Sequence, residues 1–492
     1  MRQFCRVSVS IKAKLGHLLQ FRRPFGKSLY YLKELLGSVS VKEKIHIYHT
    51  NDLHSHFENW PKIKSFLSER KSFHEAAGEE IFLFDCGDFM DRWHPFTEGS
   101  MGKGNTALFN ESHYSAVTIG NNEGITLPFQ DLDALYEEAN FDVIVANLYL
   151  PDYKRPNWVQ PYVIYETKHG YKIGVTAVTT YYQKLYRLLG WELSEPFTEL
   201  EMQLNRLQDE ADMIIVLSHL GIHDDEKMAA LFPQIDLILG AHTHHFFHEG
   251  QKSHNTMMAA AGKYGRFVGY VEVDLMKKPV NIKPTLFETA FLPPENDDFN
   301  QELENIGKKQ LDVKVTQLHH PLEFSWDRPS PLTNILCEAL HEWCQPDCTL
   351  INSGLVLTSL QKGDVTKYDI HQMLPHPINP CTVELTGAEL KEVLLHAEKD
   401  KEWVDLEVVG LGFRGSVMGV FVHCGVDVDK IEQQVLIKGV PIDPEKTYTL
   451  GTTDMFTFGR FFPEIRRSEV KHYFMPEFLR DIMEWKLKRM QD

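Results

Sequence analysis

A chain of 492 residues is long for a single domain, so two are expected. Its formal net charge of -18 argues against nucleic acid as a partner, and no apolar run approaches the roughly 20 residues of a membrane span, so stable membrane insertion is not expected. Seven singly scattered cysteines do not read as a disulfide framework and suit a reducing compartment. Residues 1–44 form a basic N-terminal extension on an otherwise acidic chain. Within it, Arg22-Arg23-Pro24-Phe25-Gly26-Lys27 is like a twin-arginine export signal, but the apolar core that should follow is broken by Lys33 and Glu34. The extension is therefore expected to be disordered and the protein cytoplasmic, with export through this segment as the alternative.

From Lys44 to about Asp274 strands are predicted to alternate with helices at 61–70, 131–139 and 197–212, the pattern of layered α/β architecture. Five apolar runs each lead into a short polar motif. Ile45-His46-Ile47-Tyr48 precedes Asp52-Leu53-His54, and Ile81-Phe82-Leu83-Phe84 precedes Gly87-Asp88. Ala116-Val117-Thr118-Ile119 precedes Gly120-Asn121-Asn122-Glu123. The runs at 213–217 and 235–239 precede Ser218-His219 and Ala241-His242-Thr243-His244. Side chains at the carboxyl ends of several strands converge on one rim of a sheet. Carboxylate, amide and imidazole together suit a pair of transition-type divalent ions better than calcium or magnesium. Gly87 allows the sharp turn that projects Asp88 inward, and one bridging carboxylate can hold two cations. Residues 279–294 are turn-rich, 295–312 read as a linker helix, and a second domain follows at 313–492, with helices at 333–343 and 386–398 and a strand–turn–strand unit at 435–450.

The ordered motifs resemble the calcineurin-like metallophosphoesterases, and within them the 5'-nucleotidase family. The resemblance runs from Thr50-Asn51-Asp52-Leu53-His54 through Ser218-His219-Leu220-Gly221 to Ala261-Gly262-Lys263-Tyr264-Gly265-Arg266. Asn352-Ser353-Gly354 and Leu385-Thr386-Gly387-Ala388-Glu389-Leu390 look like markers of that family's second domain. It implies a four-layer αββα metallophosphoesterase domain at 45–294, followed by a smaller α+β C-terminal domain that binds substrate. It also implies two divalent ions, with Mn, Zn, Co, Fe and Ni all admissible. Carried over, metal 1 takes Asp52, His54, Asp88 and His244, and metal 2 takes Asp88, Asn121, His219 and His242.

The chain departs from that family at two places. Where its members carry a leaving-group histidine and a partnering aspartate, this chain has Asn122 and Ile125. Asn122 can donate a hydrogen bond but cannot deliver a proton; His94 or His113 could substitute spatially. Where the family carries a phosphate-binding arginine after its Asn-x-Gly, this chain reads Asn352-Ser353-Gly354-Leu355-Val356-Leu357, which leaves Arg328 or Arg414 to replace it. The expected substrate contacts are Asn352, Gly354, Arg414, Phe413 and Phe458, with Phe456 and Phe461 as alternatives to the last. His56, His245, His248, Asp85, Arg92, Lys263 and Arg266 are weighed as neighbours more than ligands.

The expected function is hydrolysis of phosphoesters by metal-activated water, with Asp88 and Asn122 as catalytic residues and nucleoside 5'-phosphates or related nucleotides as substrates. A cyclic-nucleotide or nucleotide-sugar phosphodiesterase is the alternative within enzymes. A metal-bearing nucleotide-binding protein with weak turnover is the alternative outside them. Oligomeric state is left open.

Overall fold

The computed structural model describes residues 44–275, 280–295 and 298–490. The basic extension, with its twin-arginine-like segment, lies outside them. Among the described residues, no helix is long and apolar enough to cross a membrane.

The first half of the chain builds two six-stranded sheets packed face to face. The first contains β1 (Lys44–Thr50), β2 (Glu80–Asp85), β3 (Ala116–Val117) and β4 (Asp142–Val143); the second contains β5 (Tyr162–Glu166), β6 (Lys172–Thr179), β7 (Met213–His219), β8 (Leu237–Gly240), β9 (Gln251–Ser253) and β10 (Thr256–Ala259). The chain then returns to the first sheet with β11 (Phe267–Asp274) and β12 (Asn281–Glu288), giving the orders β12-β11-β1-β2-β3-β4 and β9-β10-β8-β7-β6-β5. Strands β1 to β4 run parallel, as do β10, β8, β7 and β6. Alternation along each strand explains the layering. Ile45, Ile47, Phe82, Phe84, Val271 and Val273 meet Val175, Ile215, Leu217, Leu237 and Leu239 between the sheets. Tyr48 and Leu83 point the other way, into a cluster with Trp60, Ile63, Phe66 and Leu67 of α1 (Trp60–Ala77). Ile214, Val216 and Ile238 pack likewise on Leu200, Leu204 and Leu207 of α5 (Pro196–Glu210). Among the shorter helices between α1 and α5 are α2 (Pro95–Ser100), α3 (Lys103–Ser112) and α4 (Asn121–Thr126). The result is the four-layer αββα domain.

Some elements differ from the periodicity. Helix α1 continues past Arg70 to Ala77, because His74 keeps the buried stripe going. The helix at 131–139 is shorter and earlier, Phe129–Ala134. The strand at 116–119 pairs at Ala116–Val117 alone, since its neighbour β4 is equally short.

The linker helix α7 (Phe299–Gln310) follows α6 (Ile222–Leu231) in the chain and packs against α2. The second domain is built on α8 (Pro331–Cys344), α9 (Gly387–Ala397) and α10 (Leu479–Arg489) around a five-stranded sheet. That sheet comprises β13 (Cys348–Asn352), β14 (Pro380–Thr386), β15 (Phe421–Cys424), β16 (Thr447–Thr453) and β17 (Lys471–Tyr473), in the order β15-β13-β16-β14-β17. Thr386 and Glu389 form the capping box that starts α9. The unit at 435–450 divides, with a small hairpin at Gln434–Ile437 and Val440–Pro441 and then β16 in the main sheet.

A buried polar network ties the two halves. Glu98 of α2 binds Arg92 in its own domain and Arg480 of α10 (2.7 and 3.0 Å). Arg480 also donates to the carbonyls of Leu374 and His376.

His49 on β1 is buried with neither ring nitrogen hydrogen-bonded, and burial holds it down to about 4. The fold therefore accepts its neutral form. That contribution is complete above the ordinary histidine value near 6.5 and is lost as pH falls from there through about 4, a swing of about 3 kcal/mol. The urea midpoint of the wild type should fall over this range, and the fall should be shallower in His49→Leu; parallel pH profiles would contradict the assignment.

Candidate metal centre

All five motifs meet at the carboxyl ends of β1, β2, β3, β7 and β8. The backbone there is unusual. Asp52, His54, Asp88, His242 and His244 have φ between +51° and +70°, a region that non-glycine residues seldom occupy. Local bonds hold them there. Asp52 N donates to Gly87 O (3.0 Å), His54 N to Asp88 O (2.9 Å) and Tyr264 N to Asp52 O (2.9 Å). His242 N donates to the Asp52 carboxylate. Two residues that the motif reading gave no role do much of this anchoring. The Asn51 amide bridges Asp52, Gly262 O and Ala261 N. The Glu123 carboxylate accepts from the backbone N–H groups of Asp88, Met90 and Gly120 (3.0, 3.1 and 2.8 Å).

The side chains fall into two adjoining groups, Asp52, His54 and His244, and Asp88, His219 and His242, each with ligand atoms within 4.8 Å of one another. Asp88 Oδ2 lies 3.7 Å from His54 Nε2 and 3.4 Å from His219 Nε2, so this carboxylate faces both groups. The unsatisfied atoms fit cations. His219 Nδ1 lies 2.7 Å from Cys86 O, a pure acceptor, so in the neutral ring Nε2 carries the free lone pair; that Nε2 is buried without a partner. Asn121 Oδ1 is also buried without one. Buried polar atoms are usually paired, and these two face the carboxylate cluster. Carboxylate, imidazole and amide oxygen form a donor set for borderline divalent ions.

Electrostatics agree. Burial opposes charge on His54 and His219, yet their neighbouring carboxylates outweigh it. The nearby carboxylates of Asp52, Asp91 and Asp88 push His54 up to about 10, and Asp88 pushes His219 up to about 9. Burial alone would raise Asp52 and Asp88, but the same two imidazoles hold both below the usual carboxylate range. Without ions, protons offset the clustered negative charge; divalent ions would take their place and release them.

The cluster forms one wall of a cavity of about 660 Å³, and the second domain forms the other with Asn379, residues 408–415, Asp454 and Phe458. Phe413 lines it while stacked on His376 (4.9 Å), and Phe458, 46% exposed, lines it while stacked on Tyr473 (6.0 Å). Arg414 and Lys263 are its cationic lining residues. Asn122 lies on the cavity with its amide nitrogen 2.7 Å from His54 Nδ1 and 3.1 Å from Met90 O.

Other expected residues lie elsewhere. Asn352 is buried and donates to Met418 O, and a Cβ on Gly354 would sit 2.0 Å from Val417 O, so both brace the segment at 417–418 and neither lines the cavity. Arg328 is exposed, Phe456 is core, and Phe461 packs against that core. His94 caps α2 through Phe96 N, and His113 is exposed; neither lines the cavity. Arg92 turns to Glu98, Asp85 caps the Gly87 turn, and His245 bonds Thr243.

A third group, His46, His74 and Glu79, lies toward the opposite end of β1. Its imidazoles stack at 3.7 Å with 19° between planes. Both rings turn a nitrogen to one oxygen of Glu79, His74 Nδ1 at 2.8 Å and His46 Nε2 at 3.2 Å, so the carboxylate already partners them.

Two family models match the chain: "Calcineurin-like phosphoesterase" over residues 45–246 and "5'-nucleotidase, C-terminal domain" over 313–460. An uncharacterized metallophosphoesterase, YunD of Bacillus subtilis, is 42% identical over 461 residues, covering 91% of this chain and all of the relative. Protein UshA of Yersinia enterocolitica is 25% identical, covering 84% and 85% of the two chains. Among solved structures, a putative 5'-nucleotidase from Staphylococcus aureus superposes with a TM-score of 0.64 at 18% identity, over 90% of this chain and 96% of that one.

Gly120 tests how tightly the rim is built. A Cβ there would sit 2.0 Å from Asp88 Oδ1 and 2.5 Å from His219 Cε1. Gly120→Ala should fold yet retain markedly less metal after dialysis, measured by elemental analysis. Wild-type metal content in this variant would contradict the placement of Asp88 and His219.

Proposed function

Because this chain belongs to the 5'-nucleotidase family of calcineurin-like metallophosphoesterases, and is thus a metal-dependent phosphoester hydrolase, we propose that it cleaves nucleoside 5'-phosphates or closely related nucleotides. The observation that carries this reading is the facing of two walls across one cavity. On one side stands a buried carboxylate–imidazole cluster; on the other stand Phe413, Phe458 and Arg414.

We assign Asp52, His54, Asp88 and His244 to one divalent ion and Asp88, Asn121, His219 and His242 to a second. Such a pair, when bound, polarises a phosphoryl group, acidifies water and offsets the charge that develops during displacement. The protein supplies position and surroundings. Lys263 and Arg414 bring positive charge to a phosphate, and the exposed face of Phe458 suits a base, while Phe413 is buried behind the wall against His376. Tyr182, Leu185 and Ile125 add apolar wall. The left-handed backbone at the ligands fixes their directions before substrate arrives, so little reorganisation is needed during reaction.

Asn122 occupies the place of a proton donor without being one. Its amide nitrogen is bonded toward His54 and Met90 O, and it has no acidic proton. General acid catalysis is worth about 10²–10⁴ in rate. An aryl phosphate, whose phenolate leaves unaided, should therefore turn over faster than AMP by a factor approaching that range, and rates across a series of leaving groups should fall as leaving-group pKa rises. A flat series would show that another group supplies the proton.

Stacking of a base contributes about 1–3 kcal/mol. Phe458→Ala should thus raise KM for AMP roughly tenfold or more, with little change for a small aryl phosphate. Equal effects on both substrates would remove Phe458 from nucleoside recognition.

A further inference from the structure

His54 has two neighbours at its second ring nitrogen, and they differ in kind. Its Nε2 faces Asp52 Oδ1 (3.7 Å), Asp88 Oδ2 (3.7 Å) and His244 Nε2 (3.1 Å), so Nε2 is the nitrogen turned to the cluster. Nδ1 faces away from it. There the Asn122 amide nitrogen stands at 2.7 Å and Asp91 Oδ2 at 3.5 Å.

The Asn122 amide is fixed as a donor toward this ring. Its nitrogen also bonds Met90 O (3.1 Å), and its oxygen accepts from Asn121 Nδ2 (3.3 Å); turning the amide over would set like against like at both contacts. Asn122 therefore suits an imidazole whose Nδ1 is bare and whose proton sits on Nε2. An imidazole that ligates an ion through Nε2 has the other tautomer, with its proton on Nδ1, and needs an acceptor there. Of these two neighbours, Asp91 is the acceptor.

Asp91 is built to stay in place. It is 1% exposed. Its N–H donates to Ser55 Oγ (2.8 Å), and its Oδ1 accepts from Trp93 N (3.2 Å). Trp93 Nε1 in turn donates to His54 O (2.8 Å), so carboxylate and imidazole share one frame. From the second domain, Arg414 Nη2 pairs with the same Oδ2 that faces His54. The Arg414 backbone is itself held, its N–H donating to His376 Nδ1 (2.8 Å). A charge buried so deeply is normally paired, and this one is paired across the domain boundary.

We propose that Asp91 is a positioning residue for His54: it accepts the Nδ1 proton of the ion-bound tautomer, a part that the Asn122 donor cannot play, and Arg414 holds the carboxylate in register from the second domain. This rests on the assignment of His54 as a metal ligand. It gives Asp91 a part beyond its pairing with Arg414, and it gives the second domain a part in completing the metal site as well as in receiving substrate. Loss of an outer partner of a metal-bound histidine typically costs about 10–100-fold in metal affinity.

The test is titration of the metal-free full-length protein with Mn²⁺ or Co²⁺, followed by calorimetry or equilibrium dialysis. The wild type should take up two ions. Asp91→Ala should weaken one of the two sites by about 10–100-fold and leave the other unchanged. Asp91→Asn keeps an amide oxygen that can accept, keeps the shape and should fold; its affinity at the same site should fall between wild type and Asp91→Ala. Hydrolysis by both variants should recover as the metal concentration is raised. If Asp91 only neutralises Arg414, both variants will lose thermal stability while both sites bind as in wild type, and that result overturns the proposal. So does equal weakening of the two sites. A wild type that binds no ion would overturn the metal assignment itself, a different failure from unchanged affinities in the variants.

Discussion

The architecture depends on one unfavourable act, the burial of Asp52, Asp88 and Asp91 within reach of one another and away from water. Carboxylates at such separations repel strongly in a low-dielectric interior, and each alone would cost several kcal/mol to bury as an ion. The surroundings answer that charge from several directions. His54 and His219 lean on the first two carboxylates, and Arg414 arrives from the second domain to meet the third. Backbone N–H groups of Asn122 and His242 point at Asp88 and Asp52. Divalent ions, as proposed, would finish the balance and replace the protons.

The rest of the first domain can be understood as what keeps that cluster in shape. Parallel strands deliver five motifs to one rim, and the inter-sheet core of Ile, Val and Leu is rigid enough to sustain left-handed backbone at five polar residues. Asn51 holds its loop through Gly262 O, Ala261 N and the Asp52 carboxylate, and Glu123 holds its own through three backbone N–H groups. Their side chains are consumed by anchoring, which makes them structural partners of the site. The domain junction follows the same logic. Glu98, Arg92, Arg480 and His371 form a buried network in which charge meets charge and carbonyl, so the cavity wall carrying Phe413 and Phe458 is held opposite the cluster.

Much of this was legible in the chain itself. Period-two apolar runs ending in Asp, Asn and His announced strands with a polar rim, and the structure gathers all seven expected ligand side chains at one place. The ends of elements were harder to read, because His74 extends α1 by tertiary burial that propensity does not register. Asn352 and Gly354 looked like substrate contacts because of their motif, but their roles depend on the carbonyls of Val417 and Met418, far away in sequence. Arg92 and Arg414 show the same limit. Both are basic residues near the motifs, and only the fold decides that one turns to Glu98 and the other to the cavity. The part of Asp91 depends on the ring of His54 and on an arginine 323 positions away, which the order of residues does not place beside it.

The proposed chemistry requires a pair of divalent ions that share Asp88. Anomalous diffraction from crystals grown with Mn²⁺ measures it directly. Two peaks about 3.5–4 Å apart are expected, one beside Asp52, His54 and His244 and the other beside Asn121, His219 and His242, with the Asp88 carboxylate between them. A single peak, or two that do not share Asp88, would contradict it.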